Sequence, residues 1–263
     1  MAKDVAEKKG TDITVLDSGM MMQDSAIGFT GVDMKDVAIP YVAILQALSP
    51  QVKKGAQKVE GAEEGDIFNN VTGRVVKGSK GLMVIPCAYQ KRYVEWNDRD
   101  KGGGFVKAHT DERILEKTSK NEKNQDVMQG NSHLIVTTAY HFCVILNEDG
   151  TFERVVIPMS STQLKKSRKW NAIMMGLQLA KPSGGVYTPP PFSHSYPLTT
   201  IQEVKDKNTW YGWNIGNPKQ ITNVDIYQYA RHLSVEVNKG LVDVTPQQAS
   251  EPDATPEASG KHF

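Results

Sequence analysis

From Gly65 onward the chain gathers β-branched and aromatic residues between glycines, first in GDIFNNVTGRVV and then in the longer GLMVIPCAYQKRYVEW. Such residues fit a pleated, half-buried surface, and the pattern predicts strands. HLIVTTAYHFCVILN, the turn Glu148-Asp149-Gly150 and TFERVVIPM predict a hairpin. Between these regions, residues 97–131 are polar and glycine-rich, which predicts a long loop inserted between paired strands, helical around DERILEKT. Upstream, VAIPYVAILQALSP is a short apolar stretch closed by Ser49-Pro50, and its pattern suits a brief helix as well as a strand.

The period changes at residue 160. Ser160 and Gln163 have the spacing of a capping box, and LKKSRKWNAIMMGLQLA continues in good helix formers to the breakers of KPSGG. At about 100° per residue, Trp170, Ile173, Met174 and Leu177 share one side, which predicts a core face. Lys165, Arg168 and Lys169 fall opposite, with Lys166 completing the cationic run and no acid between residues 160 and 171. After the proline-rich connector VYTPPPFSHSYP, LTTIQEVKDKNTWYGWNIG predicts two strands around Lys205-Asp206-Lys207-Asn208. ITNVDIYQYARHLSVEVNKG predicts a last helix, with Asn223 as N-cap and Gly240 as its stop. The sum is an α+β protein with a mainly antiparallel sheet, a long inserted loop and two flanking helices. Residues 1–36 show no sustained period and are expected to be a mobile N-terminal segment. Residues 37–240 form a single globular domain, and 241–263 an acidic disordered tail.

Composition narrows the function classes. The chain of 263 residues is 39% hydrophobic and 23% charged, ordinary for a soluble domain, and its net charge of +1 excludes a uniformly basic surface. Any polyanion site must therefore be a local patch. Cys87 and Cys143 lie inside apolar runs and read as buried thiols, which suits an intracellular protein. The charged N-terminus lacks the apolar run of a secretory signal, and no stretch approaches the roughly 20 apolar residues of a membrane span.

Phosphate-cradling glycine loops, His-Glu-x-x-His, Cys-x-x-Cys and Gly-x-Ser-x-Gly are all absent from the sequence. His141 and Cys143 alternate onto one strand face, too few for a metal site without partners. Glu203-Val204-Lys205 has the form used by one class of metal-dependent nucleases, and equally that of a surface pair. The remaining signal is aromatic residues interleaved with cations. Tyr89, Lys91 and Tyr93 share one strand face, Arg92 and Trp96 the other, and Tyr211 and Trp213 share a face beside Gly212. Cations on phosphates and exposed rings on bases would hold a nucleic-acid strand. The helix cations also fit a solvated face, and one ring of each strand pair also fits the core.

IPYVAILQALSP, EGAEEGDIFNNVTG, VIPCAYQKRYVEW, MSSTQLKKSRKWN and WYGWN, spanning about residues 39–217, resemble a family of bacteriophage proteins associated with replication genes and single-stranded DNA binding. The resemblance implies an OB-like β-barrel that coats single strands in DNA replication or recombination, in the cytoplasm of the infected bacterial host. The expected nucleic-acid-binding residues are Lys91, Arg92, Tyr93, Trp96, Lys165, Lys166, Arg168, Lys169, Tyr211 and Trp213. No catalysis, cofactor, metal or membrane is involved in this expectation. The acidic tail, ending in Phe263, resembles the tails by which single-strand-binding proteins recruit replication or recombination partners, but departs from them in its final Lys-His-Phe. Self-association into a homo-oligomer is a further expectation. The alternatives are a phage virion or assembly protein and, more remotely, a nuclease using Glu203 and Lys205.

Overall fold

The computed structural model describes residues 18–25, 27–32, 37, 39–98 and 102–244. The chain divides into two units, 1–37 and 38–263. Among the described residues of the first, the short helix α1 (Ser18–Gln23) carries the exposed run Met20, Met21 and Met22. Most of the expected mobile segment otherwise lies outside the described residues.

The second unit is organised by two long strands. β4 (Leu82–Trp96) and β8 (Leu134–Leu146) run antiparallel from Met83 opposite Leu146 to Trp96 opposite Leu134. Pro86 cannot donate to the ladder, and the register slips by one residue between Pro86 and Ala88, the usual place for a proline inside a sheet. The insertion between these strands is more structured than a loop. It holds β5 (Phe105–His109), a 3-10 turn at Glu112–Lys117 capped by the Asp111 side chain, β6 (Thr118–Lys120) and β7 (Asp126–Met128). The stretch DERILEKT is thus a 3-10 turn rather than a longer helix.

Other strands attach to this pair. β9 (Phe152–Ser160) lies along β8, and β12 (His194–Lys205) lies along the first residues of β4 and forms a hairpin with β13 (Asn208–Ile215). The path β13-β12-β4-β8-β7-β6, with β5 beside β4, β9 beside β8 and the short β14 (Lys219–Gln220) on β12, makes a nine-stranded antiparallel sheet. The ambiguous VAIPYVAILQALSP is a strand: β1 (Val42–Ile44) pairs with β2 (Ile67–Asn69), which pairs with β3 (Val75–Val76). The helix read over residues 164–180 stops at Gly176, and its last residues instead form β10 (Leu179–Ala180), which pairs in a small hairpin with β11 (Val186–Tyr187) at the start of the proline-rich connector. The architecture is α+β with a mainly antiparallel sheet.

Two helices cover the sheet. α2 (Leu164–Gly176) buries Ser167, Trp170 and Met174. The Trp170 ring stacks on His141 of β8 at 4.7 Å between centroids and meets Tyr196 edge-on, in a core that includes Cys143, Ile145, Val155, Ile157, Leu198 and Trp213. Neighbouring β8 residues point the other way. There α3 (Val224–Asn238) packs against β4 and β8 with Ala230, Leu233 and Val237 buried, and Arg154 of β9 binds Glu236 at 2.8 Å. α3 begins at Asn223, whose side chain accepts the Ile226 N–H. It ends at Gly240, whose positive φ lets the Leu241 N–H reach back to the Glu236 carbonyl. The packed chain continues past that stop: Val242 and Val244 are buried and the Asp243 carboxylate meets Arg92 at 3.3 Å. The first residues of the segment expected to be a disordered tail are therefore part of the domain, and residues 245–263 lie outside the described ones.

Candidate nucleic-acid interface

α2 has two chemically distinct sides. Ser167, Trp170 and Met174 are spaced to meet the sheet, and Ser167 Oγ lies 2.8 Å from His141 Nε2. On the far side Lys165, Arg168 and Lys169 are exposed, and among the described residues none of them forms an ion pair. Arg168 and Lys169 lie three and four residues after Lys165, so the three form one patch about a turn long. The capping box is not formed. Ser160 makes no side-chain cap bond, and Gln163 turns its side-chain oxygen to the Trp213 backbone N–H at 3.0 Å, tying the start of the helix to β13.

Lys166 points elsewhere. Its ammonium lies 2.6 Å from Glu203 Oε1 on β12, and Glu203 Oε2 accepts the Trp210 indole N–H from β13 at 2.9 Å. Burial raises the Glu203 pKa, but the bonds from Lys166 and Trp210 and the nearby charge of Lys165 outweigh it and hold the carboxyl below its ordinary range. Gly212 makes room for this link: a Cβ there would stand 2.9 Å from Glu203 Oε2 and from Gln163 Nε2. The Trp210 ring is half-buried, and beyond it the hairpin turn carries the exposed Lys205 and Lys207.

The strand residues expected at the site separate. Tyr93, Trp96 and Trp213 are 1%, 7% and 2% exposed, so none offers a ring face to a base. Alternation along β4 separates Tyr93 from Trp96 by face but says nothing of their depth. β5 lies beside Tyr93 and Trp96, and Phe105 meets Trp96 edge-on at 6.0 Å. Tyr211 is half-buried, its ring seated over Gly65 and its backbone bound by Gln46. Arg92 faces the α3 side of the sheet, held by Gln90 at 2.7 Å and Asp243 at 3.3 Å, away from α2. Lys91 is on the α2 side with the exposed Tyr89, but pairs with Glu112 at 3.2 Å and lies 5.4 Å from the Tyr93 ring centre. The structure thus keeps Lys165, Arg168 and Lys169 together on one side of α2, ties Trp210 to the same helix through Glu203 and Lys166, and disperses the others. Trp210 escaped the sequence reading because NTWYGWN shows rings at both parities, and only strand register decides which parity faces outward.

Two histidine clusters were likewise not read from the sequence as such. Glu95, 7% exposed, receives His109 Nε2 at 2.8 Å on one oxygen and His133 Nδ1 at 2.7 Å on the other. Burial raises the Glu95 pKa, and the two histidines more than reverse that, leaving it lowered. His109 lies in β5 and His133 just before β8, so this carboxylate fastens both ends of the insertion to β4. His141 is fully enclosed and burial pushes its pKa down to about 3, so it sits neutral beside Ser167. Among the described residues no three His, Cys, Asp or Glu side chains are grouped to hold a metal ion. Among the same residues no helix is long and apolar enough to cross a membrane.

No curated protein and no solved structure matches the chain. One family model does, over residues 8–243, which takes in α1, α2, α3, the nine-stranded sheet and the Asp243 contact. The chain belongs to the Pam3 phage gp34-like protein family, and it is therefore a phage protein.

Proposed function

We propose that this phage protein binds single-stranded DNA without catalysis, in replication or recombination, through the outer face of α2 and the adjoining β12–β13 hairpin. The observation that carries the reading is the contrast within one helix turn. Lys166 is neutralised by Glu203, whereas Lys165, Arg168 and Lys169 stand exposed together with no ion pair among the described residues. In a chain of net charge +1, such a patch is a local feature and suits a line of phosphates. An OB-like barrel is built on a curved antiparallel sheet, and a bulged antiparallel sheet, here covered by α2, supports that reading of the scaffold that carries the cations. No cofactor enters this reading. Partners recruited through residues 245–263 and action in the host cytoplasm belong to the same proposal.

The test is fluorescence anisotropy with labelled single-stranded and duplex oligonucleotides, with and without magnesium. Single strands bind more tightly, magnesium changes nothing, and with three phosphates neutralised log K falls against log salt with a slope of about −2. Joint replacement Lys165→Glu, Arg168→Glu and Lys169→Glu abolishes most binding and leaves the melting temperature near that of the parent. Absence of single-strand binding at low salt refutes the proposal, and binding with cleavage only in magnesium favours the nuclease.

One observation favours the assembly reading as a second possibility. Val204 is 68% exposed on the β12–β13 hairpin, where another copy of the chain could cover it. Sedimentation velocity of the parent chain and of Val204→Lys decides whether that surface mediates self-association.

A further inference from the structure

We infer that Trp210 is the ring on which a base stacks at this interface, and that Glu203 is the residue that positions it. The inference rests on the single-strand reading above and assigns within it the aromatic partner that the cations on α2 lack. Of the four tryptophans, Trp96, Trp170 and Trp213 are buried, which leaves Trp210 as the one with surface to offer. Its indole is fixed at one edge by the 2.9 Å bond to Glu203, while the other oxygen of the same carboxylate binds Lys166 of α2. The link Lys166–Glu203–Trp210 therefore sets the ring at a defined place beside the helix whose far side bears Lys165, Arg168 and Lys169. A second tie, from Gln163 to the Trp213 backbone, holds the same two elements together. A ring pre-set in this way loses little freedom when a base arrives.

The buried state of the other three tryptophans makes the test direct. Titration of the full chain with oligothymidylate should quench its tryptophan fluorescence, since a base stacked on Trp210 is the only one in contact with an indole. Trp210→Phe retains a ring and continues to bind, as followed by anisotropy, but loses the quench. Trp210→Ala weakens binding by about 5- to 150-fold, the range of one base–aromatic stack. Glu203→Gln keeps an acceptor for the indole and keeps the quench, whereas Glu203→Ala diminishes it. A quench that persists in Trp210→Phe overturns the assignment, as does binding by Trp210→Ala within about twofold of the parent. Should Trp210→Ala fail to fold, the Trp210→Phe titration alone decides. No binding by the parent chain at low salt would instead refute the single-strand reading itself. Binding lost on charge reversal of α2 but unmoved at Trp210 would overturn only this inference.

Discussion

Gln46 binds both backbone groups of Tyr211. Its Nε2 donates to the Tyr211 carbonyl at 2.9 Å and its Oε1 accepts the Tyr211 N–H at 2.9 Å, so a side chain 165 positions away takes the place of a neighbouring strand. Gln46 is itself set by a turn in which its N–H donates to Ser49 Oγ. β13 is the last strand of the sheet path, and an unpaired strand edge is a template for association with other chains.

Gln46→Ala is accordingly expected to lower stability by about 1–3 kcal/mol, the cost of leaving part-buried backbone groups unpaired. It should also raise the tendency to self-associate. Chemical denaturation and light scattering measure the two effects. A variant with the parent's stability and size would show that the edge is protected by something else.

His141 gives a pH dependence of known sign. Its folded pKa, pushed by burial to about 3, lies below the unfolded value near 6.5, so the unfolded chain takes up a proton that the folded chain refuses. Its contribution is fully present above about pH 6.5 and declines as pH falls toward 3, by at most about 1.4 kcal/mol per unit. His194, also lowered by burial, acts in the same direction. Glu95 and Glu203, whose pKa values are lowered from 4.5, add their losses only below about that pH. Denaturation between pH 6.5 and 5 should therefore show a slope that His141→Gln reduces; an unchanged slope would place its origin elsewhere.

Glu95→Gln removes the charge that both His109 and His133 face. Hydrogen exchange should accelerate in β5, in β7 and at the start of β8, with α2 unaffected. Equal exchange in parent and variant would mean that strand pairing alone secures the insertion.

Two truncations bracket the end of the packed chain. Ending at Val244 removes Glu251, Asp253, Glu257 and Lys261, preserves the fold and tightens single-strand binding at low salt more than at high salt, because a tethered polyanion competes for the cations and is screened by salt. Ending at Leu241 also removes the buried Val242 and Val244, at about 1.5–3 kcal/mol for each. Melting curves and anisotropy for both chains check this. Equal stability of the two would contradict the observed packing.

The sequence shows most of the architecture where a local signal exists. The glycine-bounded β runs, the insertion between β4 and β8, the Trp170 face of α2, and the Asn223 and Gly240 ends of α3 all follow from periodicity and capping chemistry. What it hides depends on contacts distant along the chain. Gln163 has capping-box spacing, yet bonding to β13 outcompetes the cap. Tyr93 and Trp96 alternate as expected, yet β5 shuts them in. The candidate site was half legible for the same reason: the cations of one helix share a local pattern, whereas Trp210 joins them through Glu203, seven residues away on a paired strand.

Both cysteines, Cys87 and Cys143, are free, enclosed in the core and held protonated by burial, which raises both pKa values. Alkylation needs a thiolate that the reagent can reach. In the native chain neither condition is met, so each alkylation event marks a molecule that has opened its core. The pair is thus a built-in clock: under rapid labelling, the rate at which the two thiols react reads out how often the domain comes apart, and a bound strand that stabilises the fold should slow it.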